Sequence, residues 1–333
     1  MRELEKRGHT IYNVSENQKI KLSDFDVLRL ARGYEGNYLE IIMAAKSNGL
    51  KIVYDTDDAI DLVPRTNIFY DQCVKGYPSY YTLLRMCDAV TCTTQELADH
   101  LKKLTDAPIT VLPNCLDFTE FKMGNPPLND IKRIGFAGSN THIVDILPAL
   151  DALIELQNDY DFEFYLFGFS ETDEWKEWVW RNYGALNSYP NHPFRIALEH
   201  FEKKIKKIEK QRIKWIPAVK IDSYFESLSN LKLDIGLCPL IDDPFNRCKS
   251  PIKAMEYSIC GTLPIYSSIP PFHGISDTFI DNDKESWVTS IGEALMMKND
   301  DIHEKVTYHQ DYFSSHYSSS SFVESWEKVF STS

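Results

Sequence analysis

One continuous run near the C-terminal end, Leu233–Ser267, most constrains what this chain can fold into. Its sequence, LDIGLCPLIDDPFNRCKSPIKAMEYSICGTLPIYS, is expected to form a strand, a loop, a helix and a second strand. The first strand, Leu233–Leu240, breaks at Asp242-Asp243-Pro244, and the second strand is Leu263–Tyr266. Strands joined through a helix in this way pair in parallel, so the run predicts one unit of an α/β sheet.

The ends of the helix in this run carry residues typical of helix boundaries. We expect Ser250 to be the N-cap and Pro251 the first helical residue, because the missing amide of proline has no partner in the first turn. Gly261 stands just after the helix, where a left-handed residue is usually needed.

The charges around this helix indicate a nucleotide-sugar ligand. Its free amides, the positive end of its dipole and Lys249 suit a phosphate group. Lys253 and Glu256 share a helix face, so an ammonium and a carboxylate are expected to line one crevice. A cation for phosphate beside a carboxylate for sugar hydroxyls fits a nucleotide-sugar site.

Composition narrows the class of protein. The formal net charge of −13 argues against nucleic-acid binding, which needs cations to neutralise phosphates. Seven cysteines without a Cys-x-x-Cys pair predict buried free thiols in a reducing cytoplasm and no metal site. No apolar run reaches the roughly 18 residues of a membrane span, and the N-terminus does not resemble a signal peptide. We therefore expect a cytoplasmic globular protein.

Strands and helices alternate along the chain in two series. The first series predicts five strands, at His9–Val14, Asp26–Ala31, Lys51–Asp55, Ala89–Cys92 and Ile109–Leu112. After a polar linker, Asp117–Asp130, the second series predicts five more, at Arg133–Ala137, Phe162–Phe167, Ile213–Pro217 and the two strands described above. This alternation predicts two Rossmann-like α/β domains that face each other across a cleft.

The predicted boundaries divide the chain into three parts. Residues 1–125 form the N-terminal domain, and residues 126–312 form the C-terminal domain with a helical insertion at about 170–212. Residues 313–333 carry a last helix that returns to the N-terminal domain.

The insertion contains a basic amphipathic helix with two interpretations. Tryptophans precede an apolar stripe that has lysines opposite it; the tryptophans are Trp175, Trp178 and Trp180, and the stripe is Leu198, Phe201, Ile205 and Ile208. We favour a helix that packs its stripe on the domain and leaves the lysines in solvent. The alternative is a surface at 195–212 that binds an acceptor or an anionic membrane, which places the protein peripherally at the inner face of that membrane.

A second candidate for phosphate binding opens the C-terminal domain. Strand Arg133–Ala137 runs into Gly138-Ser139-Asn140, and a glycine turn after the first strand of a Rossmann unit lets backbone amides approach a diphosphate. A plain tight turn explains the same residues equally well. His142 and Asp145 follow, either as ligand contacts or as an exposed histidine and a partner of the helix dipole.

Clustered carboxylates follow a strand of the N-terminal domain, in the sequence YDTDDAID; they are Asp55, Asp57, Asp58 and Asp61. Their place at the carboxyl end of a strand supports a role in the cleft. We favour hydrogen bonds to acceptor hydroxyls or within the cleft over a Mg²⁺ site. Arg32, at the end of the preceding strand, is expected to pair with this cluster or with an anionic acceptor.

Together these motifs resemble those of GT-B glycosyltransferases and are close to glycosyltransferase family 4. The resemblance covers nearly the whole chain and rests on VYDxDD, CDAVTCTTQELADHLKK, VLPNCLD, GSNTHxxD, DIGLCPLIDDPFN and KSPxKxxEYxxxGxLPI. It implies a GT-B fold, a nucleoside diphosphate sugar held by the C-terminal domain, and a saccharide or glycolipid acceptor on the N-terminal domain. It further implies transfer with retention of anomeric configuration, without a metal ion or other cofactor.

The resemblance also assigns roles to residues. It implies that Glu256 bonds the donor ribose and that Lys249 with the Gly138-Ser139 loop neutralises the diphosphate. The other residues expected to bind the donor are Asn140, His142, Arg247, Ser250 and Lys253. The residues expected on the acceptor side are Arg32, Asp57 and Asp58. The residues expected to act in catalysis are Lys249, Asn246 and Asp57.

Two departures separate this chain from its relatives. Many relatives carry a second, sugar-contacting glutamate eight positions before the ribose-binding one, where this chain has Cys248, so Asn246, Arg247 or Asp243 is expected to contact the sugar. The chain also begins inside the expected first helix, so the first strand of the N-terminal sheet and its glycine-rich loop are expected to be missing. Two other functions stay open: a nucleotide-sugar-binding protein without transferase activity, and a nucleotide-sugar epimerase of GT-B fold.

Overall fold

Two parallel β-sheets, each packed against helices, form the protein. The computed structural model describes residues 2–14, 20–32, 38–169, 191–275 and 280–331. In these ranges the first sheet has the strand order β1-β2-β3-β4, and the second has the order β7-β6-β5-β8-β9. Every pairing in both sheets is parallel, which confirms the predicted α/β class.

The strands are β1 Val27–Ala31, β2 Lys51–Thr56, β3 Ala89–Cys92, β4 Ile109–Val111, β5 Lys132–Ala137, β6 Phe162–Phe167, β7 Ile213–Ile216, β8 Ile235–Cys238 and β9 Leu263–Tyr266. The helices are α1 Arg2–Lys6, α2 Tyr38–Ser47, α3 Tyr70–Met86, α4 Gln95–Leu101, α5 Leu147–Leu156, α6 Pro193–Ile205, α7 Tyr224–Asn230, α8 Pro244–Arg247, α9 Ile252–Ile259, α10 Lys284–Met296, α11 Asn299–His316 and α12 Val323–Phe330.

The predicted strand His9–Val14 is not formed, so the first sheet has four described strands rather than five. Its apolar residues do not reach a core, because Tyr12 is 64% exposed and Val14 is 45% exposed. Tyr12 packs edge-on against Phe25, at 5.3 Å between ring centroids. A segment with alternating apolar residues forms a strand only where it can pair with a sheet edge and bury its apolar side chains in a core.

Side chains of β2 alternate between two cores, as the pleat of a strand requires. Ile52 and Tyr54 pack with residues of α2, α3 and α4 on one face. Val53 points to the opposite face, where it packs with Val329 and the partly buried Trp326 of α12. The C-terminal helix therefore covers the N-terminal sheet.

The chain passes between the two domains twice, and the two crossings lie side by side. Leu116, on the way out of the N-terminal domain, pairs in parallel with Ser318, on the way back. The Leu116 amide donates to the Tyr317 carbonyl at 3.0 Å, and the Ser319 amide donates to the Leu116 carbonyl at 2.9 Å. The crossings thus form a short two-stranded strap.

The second sheet is more deeply buried, and all four residues of β8 and of β9 lie in the interior. Gly236 in β8 leaves room for the ring of Tyr257, since a Cβ at this position would lie 2.4 Å from the ring. The Tyr257 hydroxyl accepts a hydrogen bond from the Ala137 amide at 2.6 Å. This contact fixes the end of β5 against helix α9.

The apolar stripe of α6 packs into the core, which supports the first of its two interpretations. Leu198, Phe201, Ile205 and Ile208 belong to the main hydrophobic cluster of the C-terminal domain. The stripe is therefore not available to a bilayer. The exposed residues of α6 are Ile196, Glu199, His200 and Lys203. The three tryptophans lie outside the described residues.

In the ranges described, the helices are all too short or too polar to cross a membrane. All seven cysteines are free thiols, and five of them are buried, as predicted.

Candidate functional site

A cleft of about 470 Å³ lies between the two sheets and is lined by both domains. Its walls come from loops that follow strand carboxyl ends: Arg32 follows β1, Asp57 and Asp58 follow β2, and Ser139 and His142 follow β5. Open α/β sheets bind ligands at the carboxyl ends of their strands. The two sheets therefore present their ligand-binding edges to one shared space.

The predicted phosphate-facing helix, α9, forms one wall of the cleft, but its start differs from the prediction. Pro251, not Ser250, occupies the N-cap position, and no side chain caps this helix end. Ser250 has another partner, because the Asn114 side-chain amide donates to its hydroxyl at 2.8 Å. At the other end Gly261 has φ +78°, the left-handed conformation that was predicted for it.

Two lysines line this wall. Lys253 is half-buried, and its ammonium donates to the Ala137 carbonyl at 2.6 Å. Burial lowers the pKa of Lys253, and the nearby Glu256 carboxylate partly offsets this effect. The Lys249 ammonium lies 4.4 Å from the ring centroid of Phe245 and 3.5 Å from Asp58 Oδ1. The Asp58 contact joins the two domains across the cleft.

His142 stands between the loop after β5 and the two lysines. Its Nδ1 is 2.8 Å from Asp145 Oδ2. Burial lowers the pKa of His142; the hydrogen bond to Asp145 raises it, and the charges of Lys253 and Lys249 lower it further. The result is a neutral ring that donates Nδ1–H to Asp145 and keeps Nε2 as an acceptor.

Asp145 ties together two loops behind the cleft. Its Oδ1 accepts hydrogen bonds from the Ile241 amide at 3.0 Å and from the Asn246 side-chain amide at 2.8 Å, while its Oδ2 meets His142. The residue is only 6% exposed. Asp145 is therefore a structural anchor for the loops rather than a residue that contacts the ligand.

The three residues expected to contact the sugar are engaged elsewhere. Asn246 also donates to the Ile241 carbonyl at 3.0 Å, so both amide hydrogens are used, and it lines a side pocket of about 30 Å³ together with Asp243. Asp243 caps α8 by accepting from the Asn246 amide at 2.7 Å. Arg247 is exposed and pairs with Asp242 at 2.8 Å. In the described structure, the main cleft is not lined by these side chains.

The glycine loop after β5 contributes fewer free amides than expected. The Gly138 amide donates to the Phe167 carbonyl at 2.9 Å, so it is not free for a diphosphate. Gly168, at φ +94°, packs so closely on this loop that a Cβ would lie 1.9 Å from the Gly138 oxygen. Ser139, Thr141 and His142 face the cleft instead. Asn140 holds its buried side-chain oxygen without a hydrogen-bond partner in the residues described.

Glu256 is half-buried and lies beside the cleft with Tyr224 as its partner, a residue that sequence reasoning missed. The Tyr224 hydroxyl donates to Glu256 Oε2 at 2.8 Å, and the Tyr224 ring stacks on Phe167 at 5.4 Å. Burial raises the pKa of Glu256, whereas the charge of Lys253 and the Tyr224 hydrogen bond lower it. Tyr224 thus holds one oxygen of the carboxylate, and in the part of the chain that the structure describes Glu256 is not among the residues that line the cleft.

On the N-terminal wall of the cleft, the four clustered carboxylates divide into two pairs. Asp55 accepts from the Thr91 hydroxyl at 2.5 Å, and Asp61 lies 2.9 Å from His100 Nε2, so both hold the N-terminal domain together. Asp57 and Asp58 line the cleft, and Asp57 forms a bidentate ion pair with Arg32. Across the ranges described, His, Cys, Asp and Glu side chains do not form a group of three or more that could hold a metal ion.

The fold of this chain is similar to that of several proteins of known structure. A glycosyltransferase from Rickettsia africae superposes with a TM-score of 0.60 at 13% identity, over 99% of this chain and 86% of the other. The Anabaena protein HepE, in complex with UDP and glucose, gives 0.59 at 12% identity, over 89% and 75%. Sucrose-phosphate synthase from Thermosynechococcus elongatus gives 0.59 at 11% identity, over 86% and 69%.

Sequence comparison adds no closer relative, since no protein-family description matches the chain and no curated protein sequence is significantly similar to it. The likeness to solved structures therefore rests on the arrangement of the two sheets and their helices. By that arrangement the chain has the two-domain GT-B fold of glycosyltransferases.

Proposed function

We propose that this protein transfers a sugar from a nucleoside diphosphate sugar to a hydroxyl group of a saccharide or glycolipid acceptor. The observation that carries the proposal is the convergence of Lys249, Lys253 and His142 on one wall of an interdomain cleft. Burial is the main cause of the lowered pKa of both His142 and Lys253; the charges of the two lysines lower the pKa of His142 further, and the charge of Lys249 does the same to Lys253. Two ammonium groups held close together beside a neutral His142 favour an anion between them, and a diphosphate is such an anion.

The proposed chemistry depends on charge stabilisation of the leaving diphosphate. As the bond between the sugar and the diphosphate breaks, negative charge grows on the phosphate oxygens, and prearranged cations lower the barrier most at that point. Lys249 and Lys253 supply these cations, so we propose a transfer that needs no metal ion. We propose that the departing diphosphate takes the proton of the acceptor hydroxyl as the acceptor oxygen bonds the sugar, with retention of the anomeric configuration.

The opposite wall is proposed to receive the acceptor. Asp57 and Asp58 present carboxylates to the cleft, and such groups accept hydrogen bonds from sugar hydroxyls. Arg32 orients Asp57 through its bidentate pairing. We propose that Glu256 bonds the donor ribose through Oε1, since Tyr224 holds only the other oxygen. The UDP and glucose bound to HepE support a ligand of this class for a cleft of this fold.

Thermal unfolding in the presence of UDP-, GDP-, dTDP- and ADP-sugars tests the proposal. A ligand at 100 times its Kd is expected to raise the free energy of unfolding by about 2.7 kcal/mol. Transfer of a labelled sugar to a panel of saccharide and glycolipid acceptors then establishes the reaction.

The two other functions give different results in the same assays. A binding protein without transferase activity is stabilised by a nucleotide sugar but transfers nothing to any acceptor. An epimerase converts the nucleotide sugar when it is incubated alone. No stabilisation by any nucleotide sugar contradicts all three.

A further inference from the structure

We name Phe245–Ser250 of the C-terminal domain the bridging segment, because Phe245, Cys248 and Ser250 in it contact the N-terminal domain. Asn246 and Arg247 instead bond within their own domain. Phe245 and Cys248 are 7% and 4% exposed, and both belong to the hydrophobic core of the N-terminal domain. Burial raises the pKa of the Cys248 thiol to about 11, so it behaves as a small apolar side chain. The residue that replaces the sugar-contacting glutamate of relatives is thus an interdomain anchor.

Two hydrogen bonds from the N-terminal domain complete the attachment. The Thr94 hydroxyl donates to the Cys248 carbonyl at 2.8 Å, and the Asn114 side chain donates to the Ser250 hydroxyl at 2.8 Å. The same Thr94 hydroxyl also accepts a hydrogen bond from the Leu97 amide at 3.2 Å and so caps helix α4. It therefore links the end of β3 directly to the backbone of the bridging segment.

Lys249 stands between these two anchored residues. Its neighbours Cys248 and Ser250 are the residues that Thr94 and Asn114 hold. Its ammonium lies over the ring of Phe245, which is itself packed in the N-terminal core. The position of this cation is therefore set by the N-terminal domain, although the residue belongs to the domain that carries the nucleotide site.

We infer that Thr94 is a positioning residue for Lys249, so that the diphosphate site is complete only when the two domains are docked. The inference rests on the proposed function for the identity of the ligand. The docking of the bridging segment can be measured without any ligand, because Cys248 becomes reactive only when it leaves the N-terminal core.

The decisive comparison is Thr94→Asp against Thr94→Ser. Aspartate still accepts from the Leu97 amide and caps α4, but it cannot donate to the Cys248 carbonyl. Serine keeps both hydrogen bonds. We expect the dissociation constants of UDP and GDP, measured by calorimetry, to rise about tenfold in Thr94→Asp and to stay within about twofold in Thr94→Ser.

A second readout is the rate at which a maleimide modifies Cys248, followed by mass spectrometry of the peptide that contains it. Modification is expected to be about tenfold faster in Thr94→Asp than in the unaltered protein or in Thr94→Ser, and UDP is expected to slow it in all three. Should Thr94→Asp not fold, Asn114→Leu removes the other hydrogen bond. Because Asn114 also lines the cleft, its readout is the rate of Cys248 modification alone, which is expected to rise about threefold.

The possible failures are distinguishable. Equal UDP and GDP affinities in all variants, with equal Cys248 reactivity, overturn the role of Thr94 and leave the proposed function intact. Absence of UDP and GDP binding by the unaltered protein overturns the proposed function, and the phosphate role of Lys249 with it.

Discussion

Lys249 and Lys253 are four residues apart and line the same cleft, yet different domains hold them. Lys253 is on helix α9, and its ammonium bonds the Ala137 carbonyl at the end of β5 in its own domain. Lys249 precedes the helix, and the segment around it is packed and hydrogen-bonded to the N-terminal domain. One cation is bonded within the C-terminal domain, and the other depends on contact between the two domains.

Because of this difference, the two lysines are expected to contribute unequally to the stability of the protein and to its activity. A group fixed inside one domain contributes to the folding of that domain, whereas a group brought in by docking contributes chiefly when both domains and the ligand are in place. Substitutions of the two lysines are therefore expected to have different consequences, although their chemistry is the same.

Lys249→Ala is expected to have the largest effect on activity. Loss of one preorganised cation at a leaving group should lower kcat by about 10²- to 10³-fold. The free energy of unfolding of the ligand-free protein should change by only about 0–1 kcal/mol, because the Asp58 contact is long and partly exposed. Initial rates with a labelled nucleotide sugar and urea unfolding measure the two quantities. Unchanged turnover would show that this lysine does not serve the diphosphate.

Lys253→Ala is expected to lower stability as well as activity. Removing its ammonium leaves the Ala137 carbonyl without this donor and the Glu256 carboxylate without its neighbouring cation. The free energy of unfolding should fall by about 1–3 kcal/mol. Urea unfolding beside Lys249→Ala is the matched control, and equal stability of the two variants would contradict the distinction between the lysines.

Glu256→Gln tests the other side of helix α9. Glutamine still accepts from Tyr224, but it loses the charge that strengthens a bond to the ribose, so the Kd of UDP should rise about tenfold. Because burial raises the pKa of Glu256, ionisation of this group opposes folding at neutral pH. The ligand-free variant should therefore melt at a higher temperature than the unaltered protein at pH 7, and the gap should close as the pH falls through the pKa of Glu256. Calorimetry and thermal melting at several pH values measure both effects.

The smallest expected effect is a pH dependence that originates at His142, the group beside both lysines. Its pKa in the folded protein is lowered from 6.5, so the unfolded chain takes up a proton that the folded ring does not. The contribution of His142 to the free energy of unfolding is thus constant above about pH 6.5 and declines as the pH falls below that value. His142→Gln, which can still bond Asp145, should lose less stability in thermal melting between pH 7.5 and 5.5. A residual decline is expected from His309, whose pKa burial also lowers.

UDP should reduce this acid sensitivity of the unaltered protein, because a bound diphosphate favours the protonated ring. The same pH series with saturating UDP measures the reduction. An unchanged slope would place the anion away from His142.

Much of the fold could be predicted because several strands are apolar over their whole length. The predicted bounds of β3, β6 and β9 coincide with the observed ones. Every residue of β3 and β9 is buried, and so are four of the six residues of β6, although β9 lies at the edge of its sheet. His9–Val14 has the alternation of a strand and is nevertheless irregular, because pairing depends on a neighbour that a local pattern cannot reveal.

For the site, sequence reasoning could predict which loops face the cleft but not which side chains bond each other. Arg32, Asp57, Asp58, His142, Lys249 and Lys253 follow from the topology of parallel strands, and all of them line the cleft. Asn246 and Asp145 are 101 positions apart, and their hydrogen bond removes Asn246 from the set of free ligands. The signal for Thr94 was its place before the helical pattern QELADHL, which indicates an N-cap but not a second partner in the other domain.

The paired crossings at Leu116 and Ser318 limit how the two domains can move. A single connection would allow bending and twisting in every direction, but two connections bonded side by side resist torsion about their common axis. We expect the remaining freedom to be a rotation about a hinge axis near Leu116 and Ser318. Such a rotation would return the bridging segment to the same place in the N-terminal core.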